Sequence, residues 1–188
     1  MRTFARFAGH FAGCCLLAVA STLAFAQAAP AKPAVGSMVP PAQVLGKLLS
    51  TVESEFVSAA EAMPEDKYDF VPATGDFKGV RTFADQVKHV TEANVYYFHD
   101  SAKPMDDSRA AIAKLKTKAE IVKALKDSFA QAHAFVDGIT AENAFVQTAQ
   151  GTRVGLAAGG IEHCMDHYGQ IVEYLRLNGI VPPASRPK

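Results

Sequence analysis

Apolar residues in this chain recur at three- and four-residue steps in four separate stretches, the spacing of an amphipathic helix that buries one face. The first stretch carries Leu45, Leu49, Val52, Phe56, Ala59 and Met63, with Pro64 marking its exit. A loop at 67–80, punctuated by Pro72, Gly75 and Gly79, leads to Thr82 and Asp85. That pair forms a carboxylate-bearing variant of the capping box and predicts a second helix over about 83–99, with Phe83, Val87, Val90 and Tyr97 facing inward. Pro104 and the Asp106-Asp107-Ser108 cluster interrupt the pattern. Thr117 with Glu120 then opens a third helix that turns Ile121, Leu125, Ala132 and Val136 inward and ends near Gly138. Residues 141–160 have few apolar anchors and three glycines near their end, which predicts a long connection with room for a short helix or strand. The fourth helix is expected over 161–178, with Cys164, Tyr168, Ile171 and Leu175 on one face, Gly179 as a left-handed cap, and Pro182 and Pro183 beyond it.

Four helices of this length, two of them joined by long connections, predict an all-α four-helix bundle with a crossover connection, built from residues 40–183. No internal repeat or strand-rich region competes with that reading. Residues 184–188 form a short tail.

The segment before the bundle has a different character. Arg2 and Arg6 precede an apolar run from Phe11 to Phe25, and Ala24-Phe25-Ala26 fits a small-x-small cleavage site, so residues 1–26 are expected to be a signal peptide. The run is shorter than the roughly 20 residues that span a bilayer, and no stable membrane span is expected after processing. Residues 27–39, rich in Ala and Pro without periodicity, are read as a tether. The processed chain would be periplasmic or secreted.

Cleavage near Ala26 removes Cys14 and Cys15 and leaves Cys164 alone, so no internal disulfide can form. It also takes two arginines from a chain with 19 basic and 19 acidic residues. The resulting slight acidic excess argues against a nucleic-acid partner.

Of the six histidines, His163 and His167 stand four apart on the fourth predicted helix, so both rings project from one face within reach of a single ion. Composition alone produces such a pair often enough that the spacing is weak evidence. At 100° per residue the pair shares a stripe with Gln170 and Tyr174, bordering the core face. His89 holds the comparable place on the second helix, on a stripe with Gln86, Ala93 and Tyr96. A third ligand from a facing helix is therefore feasible, and three imidazoles leave a divalent ion an open position. Gln86, Tyr96, Gln170 and Tyr174 are the candidate pocket residues.

His99 reads as a C-terminal cap, His133 as a surface residue, and Cys164 as a small core residue turned away from its histidine neighbour. Glu92, Glu162 and Asp166 read as solvated helix-surface carboxylates, and no catalytic residue or general base is assigned.

Three segments carry a resemblance. They are Pro64-Glu65-Asp66-Lys67-Tyr68, Arg81-Thr82-Phe83-Ala84-Asp85-Gln86 leading into His89, and His163-Cys164-Met165-Asp166-His167-Tyr168-Gly169-Gln170 continuing through Tyr174 to Pro183. Together they resemble the DinB-like superfamily over about 40–183. The resemblance implies a bundle in which His89, His163 and His167 bind a divalent ion, zinc first and nickel as the alternative. It also brings in metal-dependent thiol S-transferases and a thiol-using maleylpyruvate isomerase, beside many members of unknown activity. Export departs from the cytosolic thiol-transferase pattern.

Two classes of function follow. In one, the ion activates a water or thiol against a small electrophilic substrate, as in a transferase or hydrolase. In the other, the ion only stabilises or is sequestered by a non-catalytic protein of the cell envelope. A homodimer is compatible with either.

Overall fold

The computed structural model describes residues 32–73, 75, 78–99 and 107–187. The expected signal peptide and the first part of the tether lie outside the described residues. The chain divides into a short N-terminal unit ending at Val35 and a main unit from Gly36 onward, and the helical architecture belongs to the main unit.

Among the described residues it holds five α-helices: α1 (Pro41–Ala62), α2 (Phe83–Tyr97), the short α3 (Ser108–Ala113), α4 (Lys118–Asp137) and α5 (Arg153–Leu177). Among the described residues there is no strand, only an isolated bridge between Gln147 and Thr152. No helix among them is long and apolar enough to cross a membrane. The protein is all-α.

Capping signals in the sequence mark the starts of α2 and α4 and the end of α5. Thr117 and Glu120 close a reciprocal capping box at the start of α4. The Thr82 hydroxyl accepts from the Asp85 backbone at 3.0 Å and caps α2. Gly179, at φ +72°, ends α5 in a Schellman motif: its own N–H reaches Arg176 O, and the Ile180 N–H reaches back to Leu175 O. The C-terminus of α1 has no basic residue of its own last turn. Lys118 supplies one from the start of α4, donating to Glu61 O at 2.8 Å and Met63 O at 2.7 Å. The cation thus meets the carbonyls that the helix leaves unpaired.

In the packing, α1 and α2 each lie against both α4 and α5, which places α1 and α2 at diagonal corners of the four long helices. Phe56, Leu49 and Val52 of α1, Phe83, Val87 and Val90 of α2, Leu125 and Phe129 of α4, and Ile171 and Leu175 of α5 are sealed from solvent. Burying each such side chain contributes about 1.5–3 kcal/mol. Tyr68, after Pro64, packs edge-on to Phe83 and donates its hydroxyl to Ala60 O at 2.7 Å, tying the α1–α2 connection to the core.

Two departures from the expected helix limits matter for the site. Helix α2 stops at Tyr97 with Phe98 as its cap, two residues short of His99. Helix α5 begins at Arg153, eight residues before the expected start, so Gly155, Gly159 and Gly160 lie inside it and the long connection shrinks accordingly. Thr152 caps it by accepting from Gly155 N at 3.1 Å. These glycines do not punctuate a loop. A Cβ at Gly160 would sit 2.6 Å from Phe98 Cζ, and one at Gly159 would sit 3.1 Å from Tyr97 Cε1. Bare backbone on α5 is what lets α2 end against it. Each glycine costs a helix roughly 1 kcal/mol in propensity, and at Gly159 and Gly160 the close approach of Tyr97 and Phe98 overrides that cost.

Candidate metal centre

Because α2 and α5 are neighbours, the face of α2 carrying His89 looks onto the α5 stripe of His163 and His167. The three rings come together with centroids 4.6–5.0 Å apart, each pair edge to face. One ring nitrogen from each lies within 4.8 Å of the others, so the group could hold a metal ion. His167 is buried, and His89 and His163 are half-buried.

The donor set fits such an ion on two observations. The Nε2 of His163 is buried yet makes no hydrogen bond, which is costly for a polar atom unless something outside the protein satisfies it. All three imidazoles are also held in the form that can ligate. Burial is the largest cause and depresses the pKa of each; Arg81 adds to it at all three and neighbouring rings add to it at His89 and His167, while Asp166 opposes it at His163 and His167. His167 is pulled down to about 4 by burial first and then by His163 and His89. Neutral imidazole, not imidazolium, is the metal ligand.

The other candidate residues divide. Gln86, almost wholly buried, places its Oε1 2.8 Å from His167 Nδ1, and its Nε2 donates to Gln170 Oε1 at 2.8 Å. Gln170 in turn donates to Asp166 Oδ2 at 3.0 Å. Tyr174 sits farther along α5, buried, with its hydroxyl donating to Arg81 O at 2.9 Å and its ring near Phe70 and Phe83. It ties the start of α2 to α5. Tyr96 stands 41% exposed, its ring edge-on to Tyr97.

The tyrosine whose ring lies 5.8 Å from His163 is Tyr97, which the periodicity placed on the core stripe. The signal that could have found it is Gly159, one helical turn before His163, since the space left by the missing side chain is where the Tyr97 ring lies. On the solvent side, a shallow cleft of about 370 Å³ opens beside His89, lined by Arg81, Asp85, Lys88, Glu92 and Ala113. Lys88 and Asp85 are paired across it at 2.9 Å.

Two further histidines among the described residues stay out of the group. His133 on α4 bonds Glu53 of α1 at 2.7 Å, a half-buried pair and not a freely solvated side chain. His99 lies beyond the end of α2.

Cys164 faces the core, fully buried, and its thiol donates to Asn94 Oδ1 at 3.2 Å. Asn94 continues the chain by donating to Ser128 Oγ at 3.1 Å, so α5, α2 and α4 are pinned by one buried polar line. Burial pushes the thiol up to about 12, which keeps it protonated and unsuited to ligation. Cys164→Ala should leave metal content unchanged while lowering stability by about 1–2 kcal/mol, through a small cavity and an acceptor left unmet. Elemental analysis beside urea unfolding checks both halves, and metal loss at unchanged folding would show that the thiol serves the ion.

A comparison with curated proteins returns no match. A family model described as the DinB superfamily matches residues 48–171, a span that contains all three clustered histidines and stops short of the Tyr174–Pro183 block. With that match covering most of the chain, and with an all-α fold that joins its histidines across α2 and α5, this protein belongs to the DinB superfamily.

Proposed function

We propose that this chain is an exported metalloprotein that holds one divalent ion through His89, His163 and His167 and works on a small electrophilic substrate as a transferase or hydrolase. The observation that carries the reading is the convergence of three neutral imidazoles, one with a buried nitrogen that has no hydrogen-bond partner. All-imidazole donors suit zinc, with nickel as the alternative. When bound with an open coordination position, such an ion supplies Lewis acidity that lowers the pKa of a water or thiol and so makes a nucleophile available at neutral pH.

The chain's own residues do the rest. Gln86 orients the His167 ring, Tyr97 walls the site on the His163 side, and Arg81 brings positive charge to its edge. The cleft beside His89 gives a small molecule a route to the site.

The decisive experiment incubates a panel of small electrophiles with thiol or water as acceptor, using protein as purified and protein stripped by chelator. Depletion by the first preparation and not the second supports catalysis. Equal behaviour of the two leaves the ion as a clamp between α2 and α5. Export has its own check: intact mass of protein recovered from the cell envelope should correspond to a chain beginning near Gln27, and a mass retaining Met1 sinks it.

A further inference from the structure

We infer that Gln86, Gln170 and Asp166 form a hydrogen-bonded relay whose direction is set by the Asp166 carboxylate, and that this relay holds His167 in one tautomer, with the proton on Nδ1 and the lone pair on Nε2. The geometry stands on its own, while its consequence for affinity rests on the metal reading above.

The direction is fixed at the surface end. An ionised carboxylate only accepts hydrogen bonds. Asp166 Oδ2 lies 3.0 Å from the side-chain amide of Gln170, so that amide must turn its NH₂ toward Asp166 and its oxygen away. The oxygen then accepts from the Gln86 NH₂ at 2.8 Å. Gln86 is left with its own oxygen 2.8 Å from His167 Nδ1. A carbonyl oxygen cannot donate, so the ring nitrogen facing it carries the hydrogen. A neutral imidazole has one N–H, and Nε2 is therefore the bare nitrogen.

Turning over either amide alone sets two oxygens or two NH₂ groups against each other. Turning over both sets the Gln170 oxygen against the carboxylate. Asp166 thus decides the proton's place at His167 through two side chains, one of which, Gln86, is 3% exposed and so takes its hydrogen-bond partners from the protein and not from solvent. Partners that fix the ring tautomer of a ligating histidine typically change metal affinity by about 10–100-fold. Asp166 is a positioning residue, and it lies on the exposed side of α5, so its role is separable from folding.

The discriminating variant is Asp166→Asn. It is isosteric and keeps a hydrogen-bonding group at each position, yet it can donate as well as accept, so the whole relay is free to reverse. Two-bond ¹H–¹⁵N correlation spectra of uniformly ¹⁵N-labelled, metal-free protein report the tautomer directly. The full-length chain should show His167 as Nδ1–H, with Asp166→Asn gaining the Nε2–H form and Asp166→Glu retaining Nδ1–H. Zinc affinity, read by competition with a chromophoric chelator, should fall about 10–100-fold in Asp166→Asn at an unchanged melting temperature.

An Nε2–H tautomer in the unmodified protein overturns the relay, as does an Asp166→Asn protein with both tautomer and zinc affinity unchanged. A shifted tautomer with unchanged affinity overturns its role toward the ion. Unmodified protein that shows Nδ1–H but binds neither zinc nor nickel upholds the relay and refutes the metal reading, so the two failures are distinguishable.

Discussion

Alanine at His89, at His163 or at His167 is each expected to strip most of the divalent ion from the purified protein, and His89 should matter as much as the α5 pair. Two imidazoles on one helix fill only half of a tetrahedral shell. The third must come from another helix, and the only further histidine that α2 and α5 bring to the pair among the described residues is His89, at ring distances of 5.0 and 4.7 Å. The loss should exceed the roughly 10–100-fold that a supporting residue costs. His99→Ala and His133→Ala are the controls. The second breaks the His133–Glu53 pair between α4 and α1, which at its partial exposure stabilises by no more than about 1 kcal/mol, and should leave the ion in place. Elemental analysis of the five variants, each checked for helicity, is the measurement. Full occupancy in His89→Ala would break the α2–α5 geometry and leave an accidental H-x-x-x-H pair.

The second large effect concerns the glycines of α5. In an isolated helix Gly→Ala stabilises by about 1 kcal/mol. Gly160→Ala should do the opposite and destabilise the protein by about 1–3 kcal/mol. The new methyl would lie 2.6 Å from Phe98 Cζ and 3.0 Å from Tyr97 Cβ. The Phe98 ring is fully buried and packed against Phe135, so it cannot swing aside cheaply. Gly169→Ala, farther along the same helix with open space at its Cβ, should stabilise by about 0.5–1 kcal/mol. Urea unfolding of the two variants gives the sign directly. A stabilised Gly160→Ala would mean that α2 and α5 do not approach this closely, and would undo the histidine group with them. Because Tyr97 contacts His163, loss of the ion in Gly160→Ala at temperatures where it remains folded is a further expected consequence.

How much of this can be read in the chain depends on the range of the interaction. Capping signals act within four residues, so Thr117 with Glu120, Thr82 with Asp85, and Gly179 mark helix ends where they are found. Apolar spacing, set by the 100° turn per residue, identifies the buried faces of α1 and α4 and the stripe shared by His163, His167 and Gln170. Those facts depend on local backbone geometry alone.

The start of α5 is not legible in this way. Propensity treats Gly155, Gly159 and Gly160 as breakers, and for the last two only contact with Tyr97 and Phe98, some sixty residues away in sequence, turns the missing side chains into an advantage. The tyrosine at the site escapes sequence reading for the same reason. By angle Tyr96 belongs to the His89 stripe, but the ring that reaches His163 is the one for which α5 leaves room.

The sequence by itself therefore determined that the protein is all-α, where most of its helices end, and which polar residues border the core. Only the tertiary structure decided that α2 faces α5, that His89 completes the group, and that Gln86 meets Gln170 and, through it, Asp166. The physical reason is that a helix's periodicity says which of its faces is buried and is silent about which helix buries it. That choice is made by the fit of side chains, and of missing side chains, between segments far apart in the chain.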